Sequence, residues 1–221
     1  MACSLLPLGA DELGFENTNI AIPTVISATR LLQSILDTPA SMTVIDRAMI
    51  RALGARELPD ILRLVPGMVV GRESGSEAFV GYHGTSADGA RRMQVLVDGR
   101  SIYEAALARI DWIGLPLDVE DIERIEVVRG PNSATYGANS FFAVVNIITR
   151  NVQEVPNAEL LLRAGDDTIR DGFARLSLHG LGGDWAWSLF HREDTGFDIN
   201  ARKKTPFQDD KAVDGGYGKG Q

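Results

Sequence analysis

The periodicity of apolar residues changes once along the chain, at Arg150–Asn151, and that change limits the fold more than any other feature. Before it, helical spacing is interleaved with short β-branched runs. After it, helical spacing disappears, and three strand-like segments follow, Glu159 to Ala164, Phe173 to His179 and Trp185 to Arg192, separated by glycine and aspartate turns. In the second of these Ala174, Leu176 and Leu178 face one way, while Arg175, Ser177 and His179 face the other. Strands of about ten residues that alternate apolar-out and polar-in build membrane barrels, and an ordinary half-buried meander shows the same alternation. Residues 151–221 hold four or five strands at about ten residues each, whereas membrane barrels begin at about eight, so closure is not expected from these residues alone. The glycine-rich end from Gly215 to Gln221 reads as a strand entered and cut off, the mark of a fragment or truncated product.

Upstream of the change the pattern is mixed α and β. Thr43-Val44-Ile45 reads as a strand, and Asp46 can cap a helix that runs to about Leu53 before Gly54. A second helix is expected from about Glu57 to Val65, with Pro59 in its first turn and Pro66-Gly67 closing it. Met68 to Val70 and Ala78 to Tyr82 read as strands flanking the polar loop Gly71 to Glu77. Met93 to Val97 followed by Asp98-Gly99 is the strongest hairpin signal, with Arg100 to Ile102 returning. Next come a long loop from Tyr103 to Leu115, a short acidic helix around Asp118 to Ile122, and strands at Ile125 to Arg129 and Val144 to Thr149. Between those two strands, Tyr136 to Ser140 is turn-like.

A net charge of -8 disfavours a nucleic-acid partner, which needs a basic face for phosphates. The single cysteine, Cys3, rules out an internal disulfide. No apolar run approaches the roughly 20 residues of a transmembrane helix. Met1 to Ala10 reads either as the tail of a secretory signal peptide cut after Ala10 or as a plain N-terminus, and so little chain precedes Cys3 that a lipid anchor is disfavoured. No histidine spacing suits zinc and no serine sits in a nucleophile elbow, so neither a catalytic nor a metal site is expected. The acids Glu120, Asp121, Glu123 and Glu126 read as a solvated face, and His179 and His191 as polar packing in the alternating strands.

The run from Asp121 to Ser140 (DIERIEVVRGPNSATYGANS), completed by Val144 to Thr149 (VVNIIT), closely resembles the plug of TonB-dependent outer-membrane receptors. Glu57 to Gly67 (ELPDILRLVPG) and Val95 to Arg100 (VLVDGR) stand upstream in the family's order. The resemblance covers residues 24–150 and extends loosely to the strands after 157. It implies an α+β plug domain followed by the first antiparallel strands of an incomplete transmembrane β-barrel: a signal-peptide remnant at 1–10, a leader at 11–39, the plug at 40–150 and truncated barrel strands at 157–221. The implied function is energised uptake of a scarce ligand, an iron-siderophore (a metal chelate) or cobalamin, at the cell outer membrane, without catalysis and without a cofactor. A stand-alone periplasmic binding or interaction module is the alternative.

The resemblance also assigns residues. Thr24, Val25, Ile26, Ser27 and Ala28 look like the TonB box, the segment a TonB-type energy-transducing protein grips; β-branched residues favour the extended backbone this needs. Glu126 and Arg129 stand where charges pair with the barrel wall, although charge alternation along a solvated strand is the plainer alternative. Arg72, Glu73, Ser76, Tyr103 and Trp112 fall in the loops that face the ligand in this family, and they suit ordinary solvated loops as well. One departure is His83, where the family carries arginine before a glycine; the residue is either a tolerated substitution or a group that charges at mildly acidic pH.

Overall fold

The structure is a computed structural model, and it describes residues 24–27, 33–34, 36, 40–72, 78–83, 92–104, 109–112, 114–166, 168–180 and 182–194. Two short leader strands, β1 (Thr24–Val25) and β2 (Gln33–Ser34), pair antiparallel. Then follow β3 (Ser41–Asp46), α1 (Arg47–Leu53), α2 (Leu58–Ile61), β4 (Met68–Arg72), β5 (Ala78–Tyr82), β6 (Met93–Val97), β7 (Arg100–Ser101), β8 (Ile122–Arg129), α3 (Ser133–Tyr136) and β9 (Ala143–Thr149). Beyond the change of periodicity the described residues hold only strands and one 3-10 turn: β10 (Ala158–Ala164), β11 (Arg170–Gly180) and β12 (Gly183–Glu193).

Local chemistry sets these boundaries. The Asp46 carboxylate accepts from the Met49 amide at 2.8 Å, which caps α1, and Gly54 at φ 65° ends it in the left-handed conformation that glycine adopts without strain. Asp98 and Gly99 both have positive φ, 48° and 76°, the geometry of a two-residue hairpin turn between β6 and β7. The helix expected from Glu57 to Val65 is instead one α turn that tightens into a 3-10 turn over Leu62–Leu64; with Pro66 close behind, there is no room for further i to i−4 bonds. Ser133–Tyr136, within the loop between the last two plug strands, also winds into a single helical turn.

The plug is organised on a five-stranded sheet of order β3-β8-β9-β6-β7, antiparallel except for the β6–β9 pair. One face carries the main core, in which Ile45, Val95, Ile125, Val127, Val145 and Ile147 meet Ile50, Ile61 and Leu62 from the helical segments. The opposite face carries a smaller cluster of Leu96, Val128 and Val144. Glu126 and Asn146 belong to this second face and sit opposite each other across β8 and β9.

Strands β10, β11 and β12 form a separate antiparallel meander whose two faces differ in kind. Leu160, Leu162, Leu176, Leu178, Trp185, Trp187 and Leu189 are exposed, and Trp185 and Trp187 stack with ring centroids 6.3 Å apart. Asp171, Phe173, Arg175 and Ser177, the alternate positions of β11, are buried. The alternation read from the sequence is therefore the alternation observed.

Every buried residue of the main core lies between Ile45 and Ile147. Residues 40–150 expressed alone should accordingly show dispersed amide resonances and one cooperative melt, at a lower temperature than the full chain, because removal of β10–β12 uncovers charged groups. A collapsed, dispersionless spectrum would show that the plug is not an independent folding unit.

Candidate functional site

The leader is seated on the second face of the plug sheet. Val25 and Ser27 are fully buried there, and Ile26 between them is partly exposed. One oxygen of Glu126, Oε2, accepts the backbone N–H groups of Ile26 at 3.0 Å and Ser27 at 2.9 Å, while Oε1 accepts from Arg124 Nε at 2.9 Å. The Tyr136 hydroxyl donates to the Ser27 carbonyl at 2.6 Å, and Asn146 Nδ2 donates to the Ser27 hydroxyl at 2.9 Å. Two successive amides, a carbonyl and a hydroxyl are thus satisfied by three plug elements, β8, α3 and β9. An extended peptide buried off a sheet edge needs such partners, since unpaired backbone groups carry the full cost of desolvation.

A second set of contacts joins the plug to the three-stranded meander through charge. The 3-10 turn Val119–Asp121 carries Glu120, which binds Arg47 of α1 at 2.9 Å and Arg163 of β10. Next to it, Asp121 meets Arg175 of β11 at 3.3 Å. Arg150 at the end of the plug binds Glu159 of β10 at 2.6 Å and the Glu120 carbonyl at 3.2 Å. Arg56, in the turn between α1 and α2, makes a two-pronged pair with Asp171 of β11, at 2.7 and 2.6 Å, and reaches Asp194 at 2.8 Å. From β12, Arg192 donates to the Arg56 carbonyl at 2.7 Å and approaches Asp118 at 3.9 Å. Glu120, Asp121 and Glu126 are therefore buried and partnered and Glu123 is half-buried, a correction to the solvated face read from the density of these four acids; Asp118 is buried beside them. The partners of Glu120 and Asp121 are remote in sequence, Arg163 and Arg175 in strands 43 and 54 residues downstream and Arg47 73 residues upstream, beyond what local spacing displays. Charges held this way depend on one another: together they offset desolvation, and either alone costs several kcal/mol. Burial pushes the Asp118 carboxyl above its ordinary pKa, against the amide of Glu120 and Arg192, which pull it down.

A cleft of about 930 Å3 opens between the α1–α2 region, the residue before β11 (Ile169) and the end of β12, lined among others by Arg56, Asp60, Arg72, Trp112, His191 and Arg192. Its arginines have carboxylate partners, Arg72 binding Glu57 at 2.8 Å and Asp60 at 3.4 Å.

This geometry has counterparts among known proteins. The family model described as TonB-dependent Receptor Plug Domain matches residues 34–144. The chain belongs to the TonB-dependent receptor plug family. The vitamin B12 transporter BtuB of Photobacterium profundum is 32% identical over 216 residues, which make up 95% of this chain and 34% of that protein. An iron-regulated outer membrane virulence protein of Vibrio cholerae is 34% identical over 135 residues, 59% of this chain and 20% of its own. The pyoverdine outer membrane receptor FpvA of Pseudomonas aeruginosa shares the fold with a TM-score of 0.63 at 21% identity, over 81% of this chain and 26% of that one. The chain thus spans about a third of the length of the first of these relatives.

The family's site residues are distributed unevenly over the structure. Of the segment 24–28 expected to be the TonB box, Thr24 to Ser27 lie docked on the plug, while Ala28, like Glu73 and Ser76, falls outside the described residues. Arg72 and Trp112 both line the cleft, and Tyr103 is partly buried against the main core, as Trp112 also is. Glu126 meets the leader and Arg124, and among the described residues it bonds to none of β10–β12. Arg129 Nε is buried with no hydrogen-bond partner among the described residues. His83 ends β5 in a left-handed turn at φ 53°, its ring edge-on to Tyr82. Sequence reading missed Arg47, Arg56, Tyr136, Asn146, Arg150, Arg163, Asp171 and Arg175. For Arg163, Asp171 and Arg175 a signal existed, since charges on the polar side of an alternating strand require opposite charges on whatever that side covers.

Glu120→Gln should destabilise the full chain in detergent by about 3–5 kcal/mol in a denaturant titration, as it strands Arg47 and Arg163, whereas Glu123→Gln should lie within about 0.5 kcal/mol of wild type. Asp118 carries the opposite sign. Because its folded pKa lies above the ordinary 3.8, its contribution to stability is present below that pH and is lost as pH rises through the raised value. Asp118→Asn, which keeps the acceptor for the Glu120 amide, should leave stability at neutral pH equal or higher and flatten the pH dependence just above the ordinary carboxylate range.

Proposed function

We propose that this chain is the plug end of an outer-membrane receptor that takes up a scarce ligand by work supplied from the periplasm. The observation that carries the reading is the opposed chemistry of β10–β12. Their inner face is fastened to the plug by arginine–carboxylate pairs, and their outer face presents leucine and tryptophan where a soluble protein would present polar groups. That is the arrangement of a barrel wall with lipid outside and a plug inside, and it disfavours the stand-alone periplasmic module. The relatives named as vitamin B12 transporters and siderophore receptors point to cobalamin or an iron-siderophore as the ligand class. In this reading Arg129 awaits a carboxylate from wall strands that follow β12, and Arg72, Trp112 and the loops beside them face the ligand. The TonB box at 24–28 is taken up by a TonB-type protein as an added strand, whose backbone hydrogen bonds are loaded together.

The test is a chimera in which residues 1–194 are joined to the remaining barrel of the Photobacterium relative, with cobalamin binding and uptake measured side by side. Ile26→Pro removes the amide that strand pairing uses and fixes φ. Uptake should fall to background while binding stays within about twofold. Unchanged uptake in the proline variant would place the coupling segment elsewhere.

A further inference from the structure

Four arginines line the cleft between the α1–α2 region and the end of β12: Arg56, Arg63, Arg72 and Arg192. Each is already matched. Arg72 Nη2 lies 2.8 Å from a Glu57 oxygen and 3.4 Å from Asp60 Oδ2, while Asp60 Oδ1 lies 3.3 Å from Arg63 Nε. Arg56 holds Asp171 and Asp194, and Arg192 donates to the Arg56 carbonyl and stands 3.9 Å from Asp118. Among the described residues the lining also carries four carboxylates, Glu57, Asp60, Glu193 and Asp194, so its formal charge is zero. Asp171, behind Arg56, adds a negative one. Between the charges the surface is apolar, with Leu53, Leu58, Trp112, Leu115 and Leu117 on the plug side and Phe190, under the Arg192 guanidinium at 5.1 Å, on the wall side. A volume of about 930 Å3 is at the upper end of what small-molecule sites enclose.

A multiply negative ligand taken out of water must be met by cations with charge to spare, since an uncompensated charge costs far more to desolvate than an amide does. None of the four lining arginines is in that position. An uncharged ligand meets no such cost: its apolar faces lie against Trp112, Phe190 and the leucines. Its amide or carbonyl groups donate to the carboxylates and accept from the guanidinium N–H groups, of which an arginine has more than one acid can use. We infer that the cleft selects an uncharged ligand carrying amide or carbonyl groups on an apolar frame, and that Glu57 and Asp60 set the selection by neutralising Arg72 and Arg63. The inference rests on the proposed function for the cleft being on the ligand side of the plug. Within that reading it favours an uncharged ligand such as a corrinoid over an anionic ferric chelate.

The full chain in detergent micelles is dialysed to equilibrium against cyanocobalamin, a neutral ferric tris-hydroxamate and a multiply negative ferric tris-catecholate, with empty micelles as the blank and bound cobalt or iron as the readout. In wild type the catecholate should bind at least about tenfold more weakly than the better of the two uncharged probes. Whichever uncharged probe binds more tightly identifies the source of the ligand, and either result supports the selection. The nearly isosteric pair Glu57→Gln with Asp60→Asn uncaps Arg72 and Arg63. It should move the ratio of affinities toward the catecholate by about tenfold or more, a gain that high salt removes. Glu57→Gln alone should move it the same way by less, and adding Arg72→Gln to the double variant should take most of the gain back. Leu53→Trp, at an exposed position on the cleft wall, should weaken the uncharged probe about tenfold by filling its space. A catecholate bound by wild type as tightly as the uncharged probes overturns the inference, as does a ratio that the uncapping variants leave unmoved. Uncharged-probe binding that Leu53→Trp does not touch overturns the location. Absence of saturable binding of any probe overturns the cleft as a site, while the receptor reading still stands or falls on uptake by the chimera.

Discussion

The acids at 118–121 cannot be buried unless arginines arrive to meet them, and much of the structure follows from that condition. A 3-10 turn brings Asp118, Glu120 and Asp121 to one place, with a capping box between Asp118 and Asp121 holding its shape. Arg47 comes from the plug, but Arg163 and Arg175 come from strands that form no part of the plug's hydrophobic core. The meander is therefore positioned by polar complementarity. This is a division of labour suited to strands whose leucines and tryptophans mostly point the other way, and it specifies one register in place of many, since a slip of one residue along β10 or β11 would turn Arg163, Asp171 and Arg175 outward.

The same logic governs the leader. An extended segment with a buried valine and a buried serine has little apolar surface to fix it, so hydrogen bonding decides where it lies. Glu126 does this at the cost of occupying a position in the middle of a hydrophobic sheet, where Val128 and Val144 pack beside it. A buried carboxylate with two leader amides and Arg124 around it is fully engaged, and without the leader it would lose two of those three donors.

How much of this was legible in the sequence depended on the range of the interactions. The Asp46 cap, the Gly54 stop, the Asp98-Gly99 turn and the alternation of β11 are set by residues within a few positions of one another, and each was readable. The helix after Glu57 was read too long because its pattern continues past the point at which the backbone tightens. The charges were misread for the opposite reason: Glu120 and Asp121 look solvated among their neighbours in sequence, and only the arrival of Arg163 and Arg175 makes them interior groups. Glu126 shows the limit most clearly. Its strand was visible, but it was read as a solvated or wall-facing charge, because its partner lies 100 residues earlier, in a segment with almost no pattern of its own.

The order of strands in the plug sheet has a bearing on how such a chain is made. Ser41 at the start of β3 pairs with Arg129 at the end of β8, and β9 enters between β8 and β6. A chain delivered from its N-terminus therefore carries β3, α1 and β6 across the membrane before any of their sheet partners exist. The central strands can assemble only once β9 has emerged, and the acids of the 3-10 turn find their last arginine later still. Loop closure over such separations is slow compared with local turns. For that interval the β-branched edges of β3 and β6 are unpaired and open to any other extended segment, so the order of synthesis itself sets a period of exposure that ends only with β9.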